Sequence, residues 1–438
     1  MDSERCTCRV RRDGLLTNPD AQPLLPVATA LARLLERFHK LPAERLKLAR
    51  AGGRVLAEPI QASFDLPPFD NSGVDGFAVR AEDIQAAGRD QPARLRVVAD
   101  LPAGVAARRA VAPGEAIRIM TGAAVPPGAD AISPVENTDV IARSAGAEAP
   151  DFVQIYKPEA RGANIRQRGE DVRLGEQVLE VGRRLRPMDL GFLSLLGISE
   201  VPVHRQPRVA IFSTGDELLP VEAPLAPGKI HDANSYTLGG LVEQAGGVPL
   251  QLGIIPDEAA AVRSALQQAV AMGADLILSS AGVSVGAFDF VRKVVEKEGE
   301  LEFWRVNMRP GKPLAFGSYQ GLPFIGLPGN PVSAFIGFWV FVRPALWKMG
   351  GLPDDRQRRV RVELVEPVKS DGRETYLRAF VVPGGDAGKA PFARLSSHQG
   401  SGNLRSLVMA NALLMIPSGV KSVPAGEMVD AWLLGEID

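Results

Sequence analysis

The segment 206–350 alternates short apolar runs with stretches of helical pattern, and this alternation restricts the fold more than any other feature of the chain. The predicted strands cover 209–212, 249–255, 275–279, 301–307, 313–318 and 323–326. Helices are predicted from Asp257 to Gly273, over the stretch FVRKVVEKEG, and from about Pro331. Strands that alternate with helices predict an α/β domain with a mostly parallel sheet, which binds ligands at the carboxyl ends of its strands.

The flanking segments show other patterns. Two short helices with a buried apolar face are predicted in 25–39 and 183–205. Their apolar residues are Val27, Leu31, Leu34, Leu35 and Phe38 in the first, and Met188, Leu190, Phe192, Leu193, Leu195 and Leu196 in the second. Residues 61–170 alternate short apolar runs with Pro/Gly-rich links, which predicts a β-rich insert. After the break at 350–353 the helical patterns stop, and a small all-β domain is predicted from the apolar runs at 360–364, 376–382, 392–395, 411–416 and 428–434.

Charge balance and cysteine content exclude several classes of protein. The 438 residues carry 50 Lys and Arg against 51 Asp and Glu, which argues against a nucleic-acid binder and against a polybasic membrane surface. Two cysteines, Cys6 and Cys8, are too few for a disulfide scaffold and indicate a reducing compartment. The start of the chain lacks the apolar stretch of a signal peptide. The longest apolar run, 332–342, ends at Arg343-Pro344 and is shorter than the ~20 residues that a bilayer requires, so a cytoplasmic protein is expected.

Hydroxyl and carboxylate side chains follow two of the predicted strands. The sequence STGDE at 213–217 follows the first strand, and SSAGVSVG at 279–286 follows the third. Hydroxyl groups and glycine amides in such turns can hold a phosphate without any lysine. Asp257 and Asp289 stand at predicted helix starts, so each can serve either as a ligand or as a helix N-cap.

Cations gather farther along the chain. MRPGKP at 308–313 sets Arg309 and Lys312 around a rigid turn. LPGNPVS at 327–333 predicts a strand–turn–helix element whose open helix end can accept an oxyanion. Arg373 and Arg378 stand near one predicted strand, followed by the loop QGSG at 399–402, and taken alone these arginines are typical of a surface.

Three polar loops mark the β-rich insert. Residues 68–80, which include Asp75, carry the Asp, Asn, Ser and Gly residues of an ordinary turn as well as those of a site. The Thr-Gly pair at Thr121 can offer hydroxyl and amide donors to an anion, although such pairs are more often turns. Residues 162–171 place two arginines beside Glu170 and Asp171, which favours a solvated loop that pairs with itself.

Together these features predict carboxylates, hydroxyl groups, amides and a few cations around an anionic ligand, with Mg²⁺ as the expected metal. The four histidines show no zinc spacing, no nucleophilic triad is recognisable, and the sequence has no Walker loop. Spacing alone does not name the ligand.

Nine sequence motifs follow one another in a characteristic order. They are FDNSGVDGFAVR, RIMTGAAVPPGAD, GEDV, STGDEL, PGKIHDANSY, SSAGVSVG, MRPGKP, LPGNPVSAF and QGSGNLRSL, within residues 22–436. This order resembles that of the molybdopterin molybdenumtransferases, the MoeA and gephyrin E-domain family. The resemblance implies an elongated homodimer whose active cleft lies between the α/β domain of one subunit and the inserted domain of the other. The implied parts are an N-terminal tail (1–21), a discontinuous helical first domain (22–60 and 171–205), an inserted β-rich domain (61–170), a molybdopterin-binding α/β domain (206–356) and a C-terminal β-barrel (357–438).

The resemblance also implies a reaction and its residues. The family inserts molybdate into the dithiolene of adenylylated molybdopterin and releases AMP and molybdenum cofactor in a Mg²⁺-dependent reaction. The implied catalytic residues are Asp75, Thr121, Asp171, Glu217, Asp257 and Asp289, of which Glu217, Asp257 and Asp289 are the implied metal ligands. The implied molybdate site consists of Arg309, Lys312, Pro313, Ser333, Arg373 and Ser401. The implied pterin and nucleotide loops contain Ser213, Thr214, Gly215, Ser280, Gly282, Ser284, Gly286, Pro328 and Pro331.

The chain departs from the family's usual pattern in several places. Ala281 replaces a Gly, Phe77 a Tyr and Arg309 a Lys, while Asn403 and Arg405 stand where Met and Ser are frequent. None of these changes removes an implied carboxylate, so an active enzyme is expected.

Other functions and partners stay open at this point. A scaffold of the gephyrin type and the adenylylation of molybdopterin are the alternatives, and tungstate can stand in for molybdate because the two oxyanions have nearly the same size and charge. Proteins that deliver the pterin or accept the cofactor are expected partners, but the sequence does not identify them.

Overall fold

The computed structural model describes residues 24–140, 149–281, 290–353, 359–384 and 390–435, and contacts within it divide the chain into two compact units. The first unit comprises the chain up to residue 45, residues 53–57 and the chain from 202 onward, and the second unit comprises 46–52 and 58–201. The boundaries of the four implied domains stay a prediction.

The described residues form both helices and strands. The helices are α1 (Val27–Glu36), α2 (Pro187–Leu195), α3 (Asn234–Gln244), α4 (Ala259–Ala271), α5 (Phe290–Glu298), α6 (Pro331–Gly337), α7 (Arg343–Met349) and α8 (Arg405–Val408). The strands up to residue 204 are β1 (Ala43–Lys47), β2 (Ile60–Gln61), β3 (Asn71–Ser72), β4 (Gly76–Val79), β5 (Ala93–Leu101), β6 (Glu115–Ile119), β7 (Ala131–Pro134), β8 (Phe152–Ile155), β9 (Ile165–Arg166), β10 (Gln177–Leu179) and β11 (Glu200–His204). The later strands are β12 (Arg208–Thr214), β13 (Leu218–Leu219), β14 (Ile230–His231), β15 (Val248–Ile255), β16 (Leu276–Ser280), β17 (Gly299–Arg305), β18 (Met308–Arg309), β19 (Pro313–Tyr319), β20 (Leu322–Leu327), β21 (Arg359–Leu364), β22 (Val368–Lys369), β23 (Glu374–Val382), β24 (Phe392–Leu395), β25 (Ala412–Ile416), β26 (Ser422–Val423) and β27 (Met428–Leu433).

A six-stranded sheet forms the centre of the first unit. Its strands are ordered β15-β12-β16-β20-β19-β17. The first four run parallel, β19 is antiparallel to its neighbours on both sides, and β17 therefore runs in the same direction as the first four, which confirms the mostly parallel sheet. Ser213 of β12 is in register with Ser280 of β16, and Ser280 with Leu327 of β20. The carboxyl ends of these three strands therefore meet at one edge of the sheet.

Alternate residues of this sheet pack on opposite faces, and helices cover both. Ile211 and Leu278 belong to a core that includes α1, α3, α6 and α7. Phe212 and Ile277 belong to a second core, formed with residues of α4 and α5. The strands are thus buried on both sides, as parallel sheets require.

A long apolar helix follows β20 and continues beyond the apolar run that ends at Arg343-Pro344. α6 leads through a π-helical turn at Phe338–Val342 into α7, so the helix passes Arg343-Pro344 and ends at Met349. Because proline has no N–H for the carbonyl four residues earlier, the wider turn directly before Pro344 accommodates it. By length and composition this helix could cross a membrane, but 78% of the residues in its apolar window are buried within the protein, as in a core helix.

The C-terminal part of the first unit forms a closed five-stranded barrel, which confirms the predicted barrel. The strands β23, β24, β21, β27 and β25 pair in this order, and β25 pairs back to β23. β18 pairs with β23 and so brings the MRPGKP turn to the barrel. The expectation that helices stop after residue 353 is wrong at α8, where one helical turn buries both Ser406 and Leu407.

A five-stranded sheet, ordered β7-β4-β6-β5-β8, forms the centre of the second unit and confirms the β-rich insert. Phe77 and Val79 belong to the core on one face, and Ala78 and Ile117 to the core on the other. Phe77, which replaces the family's tyrosine, is fully buried.

α2 is less buried than the sequence predicts. Leu193 and Leu196 lie in the interior, whereas Met188 and Leu195 are 61% and 64% exposed. The six apolar residues of this stretch surround the helix, and a helix that packs on one side cannot bury them all. The prediction of burial for Met188 and Leu195 is therefore wrong.

Candidate functional site

Three hydroxyl side chains lie at the sheet edge where β12, β16 and β20 end. Ser213, Thr214 and Ser280 are each buried there. Thr214 and Ser280 line a cavity of about 480 Å³, here called the strand-end cavity, whose other walls include residues 230–234 and 328–331. This is the position at which parallel sheets bind ligands.

Carboxylates gather beside these hydroxyl groups. Glu217 lines the strand-end cavity, and Asp257 is hydrogen-bonded to Thr214. Burial raises the pKa of Asp257, and the negative charges of Asp216 and Glu217 raise it further. Glu258 occupies the N-cap position of α4, so Asp257 does not serve as that cap. The structure therefore excludes the N-cap role for Asp257, and its role as a ligand stays a prediction.

Gly215 allows the Glu217 carboxylate to fold back over the end of β12. Its φ of +146° is a backbone conformation that residues other than glycine rarely adopt. A Cβ at this position would lie 2.7 Å from Oε2 of Glu217. The backbone conformation therefore requires glycine, and a side chain at this position would displace the Glu217 carboxylate.

Part of the implied site lies outside the described residues: Gly282, Ser284, Gly286 and Asp289. Within the described part of the chain, no group of three His, Cys, Asp or Glu side chains is arranged to hold a metal ion. Ala281, which replaces a family glycine, has a φ of +70°. This left-handed conformation costs a non-glycine residue about 1 kcal/mol.

A buried carboxylate organises a further wall of the strand-end cavity. Asp232 Oδ1 accepts hydrogen bonds from Ser213 Oγ at 3.1 Å and from the backbone N–H groups of Asn234 and Ser235 at 3.0 and 3.2 Å. Asp232 Oδ2 accepts a hydrogen bond from the Ser235 hydroxyl. The carboxylate therefore occupies the N-terminus of α3 and closes that helix end to other anions.

The Asn234 side chain connects two loops of this cavity. Its Nδ2 donates hydrogen bonds to Ser280 Oγ at 2.6 Å and to the Gly329 carbonyl oxygen at 2.7 Å. The motif PGKIHDANSY contains Asp232 and Asn234, but sequence reasoning missed both as site residues because their roles depend on partners far away in the chain.

A second cavity, of about 660 Å³, is lined by residues of the α/β sheet region and of the barrel, and it is here called the barrel-side cavity. All six residues of the implied oxyanion site line it, namely Arg309, Lys312, Pro313, Ser333, Arg373 and Ser401. Pro313, Pro328 and Asn330 line both cavities, so the two cavities share a wall.

Asp371 orients two of these cations, and sequence reasoning did not single it out. Its Oδ2 lies 2.5 Å from Arg373 Nη2 and 3.6 Å from Arg309 Nη1. Arg373 also donates a hydrogen bond to the Met308 carbonyl oxygen at 3.1 Å. The hydrogen bonds from Arg373, with the charge of Arg309, lower the pKa of Asp371 from 3.8 to about 2. The carboxylate therefore stays ionised at neutral pH and keeps both guanidinium groups in place.

Arg378 is a buried cation of the same cavity. It is 1% exposed, and it donates hydrogen bonds to Ser406 Oγ and to the Gly400 carbonyl oxygen, both at 3.0 Å. Burial, with the charge of Arg309, lowers the pKa of Arg378 to about 10, so it remains a cation at neutral pH. One sequence signal indicates this burial, since Arg378 interrupts an apolar strand in TYLRAFVV.

The start of α6 faces the barrel loop 399–402. The N–H of Val332 donates a hydrogen bond to the Ser401 carbonyl oxygen at 3.0 Å, and the next residue, Ser333, is buried. This contact places Ser333 and Ser401 in the same part of the barrel-side cavity.

In the second unit, Asp75 and Thr121 contact each other. Asp75 Oδ1 accepts hydrogen bonds from the backbone N–H and from the hydroxyl of Thr121, both at 2.7 Å. A Cβ on the next residue, Gly76, would lie 2.1 Å from the Ser133 carbonyl oxygen, so only glycine fits there. These contacts hold an exposed carboxylate in a fixed position.

The third implied residue of this unit, Asp171, pairs with Arg166 at 2.6 Å, as expected of a loop that pairs with itself. Arg168 does not follow that expectation, because it pairs with Asp65 at 2.6 Å. Since β3 pairs with β9, the loop with Asp171 lies next to the loop 68–75.

Three family models match the chain in sequence order. The MoeA N-terminal region (domain I and II) matches residues 25–197, the probable molybdopterin binding domain matches 210–348, and the MoeA C-terminal region (domain IV) matches 361–434.

Relatives match over nearly the whole length. A molybdopterin molybdenumtransferase from Nostoc sp. is 35% identical over 97% of this chain and 98% of its own. Molybdopterin molybdenumtransferase 2 of Mycobacterium tuberculosis is 39% identical over 88% of this chain and 93% of its own. The crystal structure of the molybdopterin biosynthesis moeA protein from Pyrococcus horikoshii OT3 covers 94% of this chain and 100% of its own, with 35% identity and a TM-score of 0.77.

Proposed function

Because the chain belongs to the molybdopterin molybdenumtransferase (MoeA) family, we propose that it inserts molybdenum from molybdate into adenylylated molybdopterin and releases AMP. One observation carries this proposal: the strand-end cavity and the barrel-side cavity share the wall formed by Pro313, Pro328 and Asn330. The first cavity offers hydroxyl groups and carboxylates, and the second offers cations. That division suits a reaction in which a nucleotide-bearing ligand meets a small oxyanion.

The barrel-side cavity is the proposed molybdate site. Molybdate is a tetrahedral dianion, and Arg309, Lys312 and Arg373 supply positive charge around it while Ser333 and Ser401 supply hydroxyl donors. Hydrogen bonds between such cations and an anion are about twice as strong as those between neutral groups. Asp371 already orients two of the arginines, so little conformational freedom is lost when the oxyanion binds.

The strand-end cavity is the proposed site of the pterin and the nucleotide. The hydroxyl groups of Thr214 and Ser280 would donate to phosphate oxygens, and Ser213 would support them from its bond to Asp232. Pro328 and Pro331 shape the wall of this cavity.

The proposed reaction balances without an oxidant or a reductant. The two dithiolene S–H groups replace one oxo ligand of molybdate, which leaves as water with both protons, and the oxidation state of molybdenum does not change. A water molecule adds to phosphorus and cleaves the phosphoanhydride bond, which gives AMP and the phosphate of the cofactor. The contribution of the chain is to hold both ligands in adjoining positions, which removes most of the entropic cost of bringing them together.

We propose that a magnesium ion binds beside the strand-end cavity. Glu217 and Asp257 would hold it together with Asp289, and carboxylate oxygens are the ligands that Mg²⁺ prefers. The mutual repulsion of Asp216, Glu217 and Asp257 is the charge arrangement that a divalent cation relieves. When bound, the ion would neutralise charge on the phosphate groups.

We further propose that Asp75, Thr121 and Asp171 act in a homodimer, where the inserted domain of one subunit contributes to the cleft of the other. The family membership supports this arrangement, together with the fixed and exposed position of the Asp75 carboxylate. The same proposal includes the four-domain division, a cytoplasmic location, and partner proteins that deliver molybdopterin and accept the cofactor.

The test combines purified protein with adenylylated molybdopterin, Mg²⁺ and molybdate, and measures AMP and molybdenum cofactor. The expected result is equal amounts of both products, dependent on molybdate. Consumption of ATP with free molybdopterin, without formation of cofactor, would instead identify an adenylylating enzyme. Absence of turnover combined with tight binding to a protein partner would favour a scaffold. A parallel reaction with tungstate decides which oxyanion is preferred.

A further inference from the structure

We infer that Asn234 is a positioning residue that fixes the wall between the strand-end and barrel-side cavities and thereby couples AMP release to molybdenum insertion. The inference rests on the proposed function. It assigns a role in the reaction to a side chain that need not touch either substrate.

The carboxamide of Asn234 ties together two loops that border the strand-end cavity. Its Nδ2 donates both of its protons, one to Ser280 Oγ at 2.6 Å and one to the Gly329 carbonyl oxygen at 2.7 Å. The carbonyl oxygen can only accept, so the NH₂ group must face Gly329 and the orientation of the amide is fixed. Asn234 is 9% exposed, which shields these bonds from water.

The backbone of Asn234 is fixed as well. Asp232, which is 6% exposed, accepts the N–H groups of Asn234 and Ser235 and the hydroxyl of Ser213. These bonds hold the first turn of α3 against the end of β12. The hydrogen bonds of Asn234 therefore fix the position of Gly329 relative to the edge of the sheet.

Stability alone does not account for this asparagine. Its Oδ1 is buried and has no hydrogen-bond partner among the residues that the structure describes. A buried acceptor without a partner does not stabilise the folded state. The donated bonds of this side chain therefore serve the position of Gly329, which is compatible with a functional role.

The position of Gly329 affects both proposed ligand sites. Its neighbours Pro328 and Asn330 line both cavities, so a shift of Gly329 changes the distance between a nucleotide in one cavity and an oxyanion in the other. A misplacement of about 1 Å can slow a reaction about 100-fold. Hydrolysis of the phosphoanhydride needs only water, whose oxygen bonds to phosphorus as the bridging P–O bond breaks. It can therefore continue and yield AMP while the dithiolene stays without metal.

The experiment compares AMP and cofactor formed by the wild-type chain and by Asn234→Ala and Asn234→Asp in the assay described above. Asn234→Asp keeps the size of the side chain but removes both donated bonds. We expect cofactor formation to fall about 10- to 100-fold, and AMP formed per cofactor to rise at least about threefold above the wild-type ratio.

Asn411→Ala serves as the matched control. The Asn411 carboxamide also holds backbone, since its Oδ1 accepts the Val381 N–H at 2.7 Å and its Nδ2 donates to the Val381 carbonyl oxygen at 2.9 Å. It lies in the barrel and lines neither cavity. Its replacement should lower the thermal midpoint and leave the ratio of AMP to cofactor unchanged.

A parallel fall of AMP and cofactor in both Asn234 variants, with the wild-type ratio kept, would overturn the inference and assign Asn234 a merely structural role. Failure of both variants to fold, judged by circular dichroism, would do the same. A wild-type chain that forms neither product would instead overturn the proposed function, and the inference with it.

Discussion

The strand-end cavity and the barrel-side cavity adjoin each other, yet they carry opposite charge. Glu217 and Asp232 line the first, with Asp257 beside Thr214, whereas Arg309, Lys312 and Arg373 line the second. The chain as a whole has a net charge of only −1. Overall neutrality therefore conceals a local separation of charge between neighbouring cavities of one chain, and the proposed binding of a nucleotide in one and an oxyanion in the other relies on it.

The two cavities also differ in how the chain builds them. The strand-end cavity uses residues at the ends of neighbouring strands, which the register of the parallel sheet brings together. The barrel-side cavity combines the segment 309–333 with the segment 373–401, which are joined where β18 pairs with β23 and where Val332 bonds to Ser401. Its geometry therefore depends on contacts between segments that are distant in sequence.

The strongest test of this comparison is Arg373→Ala. Loss of a charged hydrogen-bond donor should lower the affinity for molybdate about 100-fold, because such bonds contribute about 1.5–3 kcal/mol. The affinity for AMP should stay unchanged, since Arg373 does not line the strand-end cavity. Calorimetric titrations with molybdate and with AMP measure both.

The control for this substitution is Arg361→Ala. Arg361 also belongs to the barrel and lies 3.7 Å from Asp430, but it lines neither cavity. An equal loss of molybdate and AMP affinity in Arg373→Ala would show that the two cavities do not act as separate sites.

Asp257→Asn tests the opposite side of the comparison. It keeps the shape of the side chain but removes one carboxylate of the proposed metal site, and AMP release should fall at least about tenfold. The thermal midpoint should not fall, because partial burial and the charges of Asp216 and Glu217 oppose ionisation of Asp257. Turnover assays and thermal denaturation measure the two effects. A midpoint that drops together with activity would contradict this prediction and indicate a structural role.

Asp371→Asn tests how the cations of the barrel-side cavity are held. The folded protein lowers the pKa of Asp371 from 3.8 to about 2, so this carboxylate contributes stability at neutral pH and loses that contribution as the pH falls from 3.8 toward 2. The contribution should be below about 1 kcal/mol, because the ion pairs are partly exposed.

Urea denaturation from neutral to acidic pH checks this prediction. The difference in free energy of unfolding between wild type and Asp371→Asn should be constant near neutrality and shrink in acid. A difference that grows as the pH falls would show that the assigned direction of the pKa shift is wrong.

The sequence predicts those parts of the molecule that follow a local period. The mostly parallel sheet, the helix α1 and the barrel strands all have repeating apolar patterns that reveal which faces are buried. Leu195 shows the limit of such patterns, because an apolar helix does not disclose which of its sides finds a partner.

Several contacts of the candidate site cannot be predicted from a local sequence pattern. The hydrogen-bond partners of Arg378, Ser406 and Gly400, come from other segments of the chain. The main partner of Asp371 is Arg373, only two residues away, but Arg309 reaches Asp371 from a distant segment. Asn234 reaches Gly329 across 95 positions of sequence. In the sequence, only the order of the motifs indicated that the segment PGKIHDANSY belongs to the site. That order did not explain what Asn234 contacts.

The smallest expected effect concerns Ala281, at the edge of the strand-end cavity. Its φ of +70° costs an alanine more than a glycine, whereas glycine loses more conformational entropy on folding. Ala281→Gly should therefore raise the free energy of unfolding by about 0.5 kcal/mol. Ala261→Gly within α4 should lower it by about 1 kcal/mol, because a helical residue gains nothing from glycine. Urea denaturation of both variants measures the contrast, and destabilisation by both substitutions would show that Ala281 is not strained.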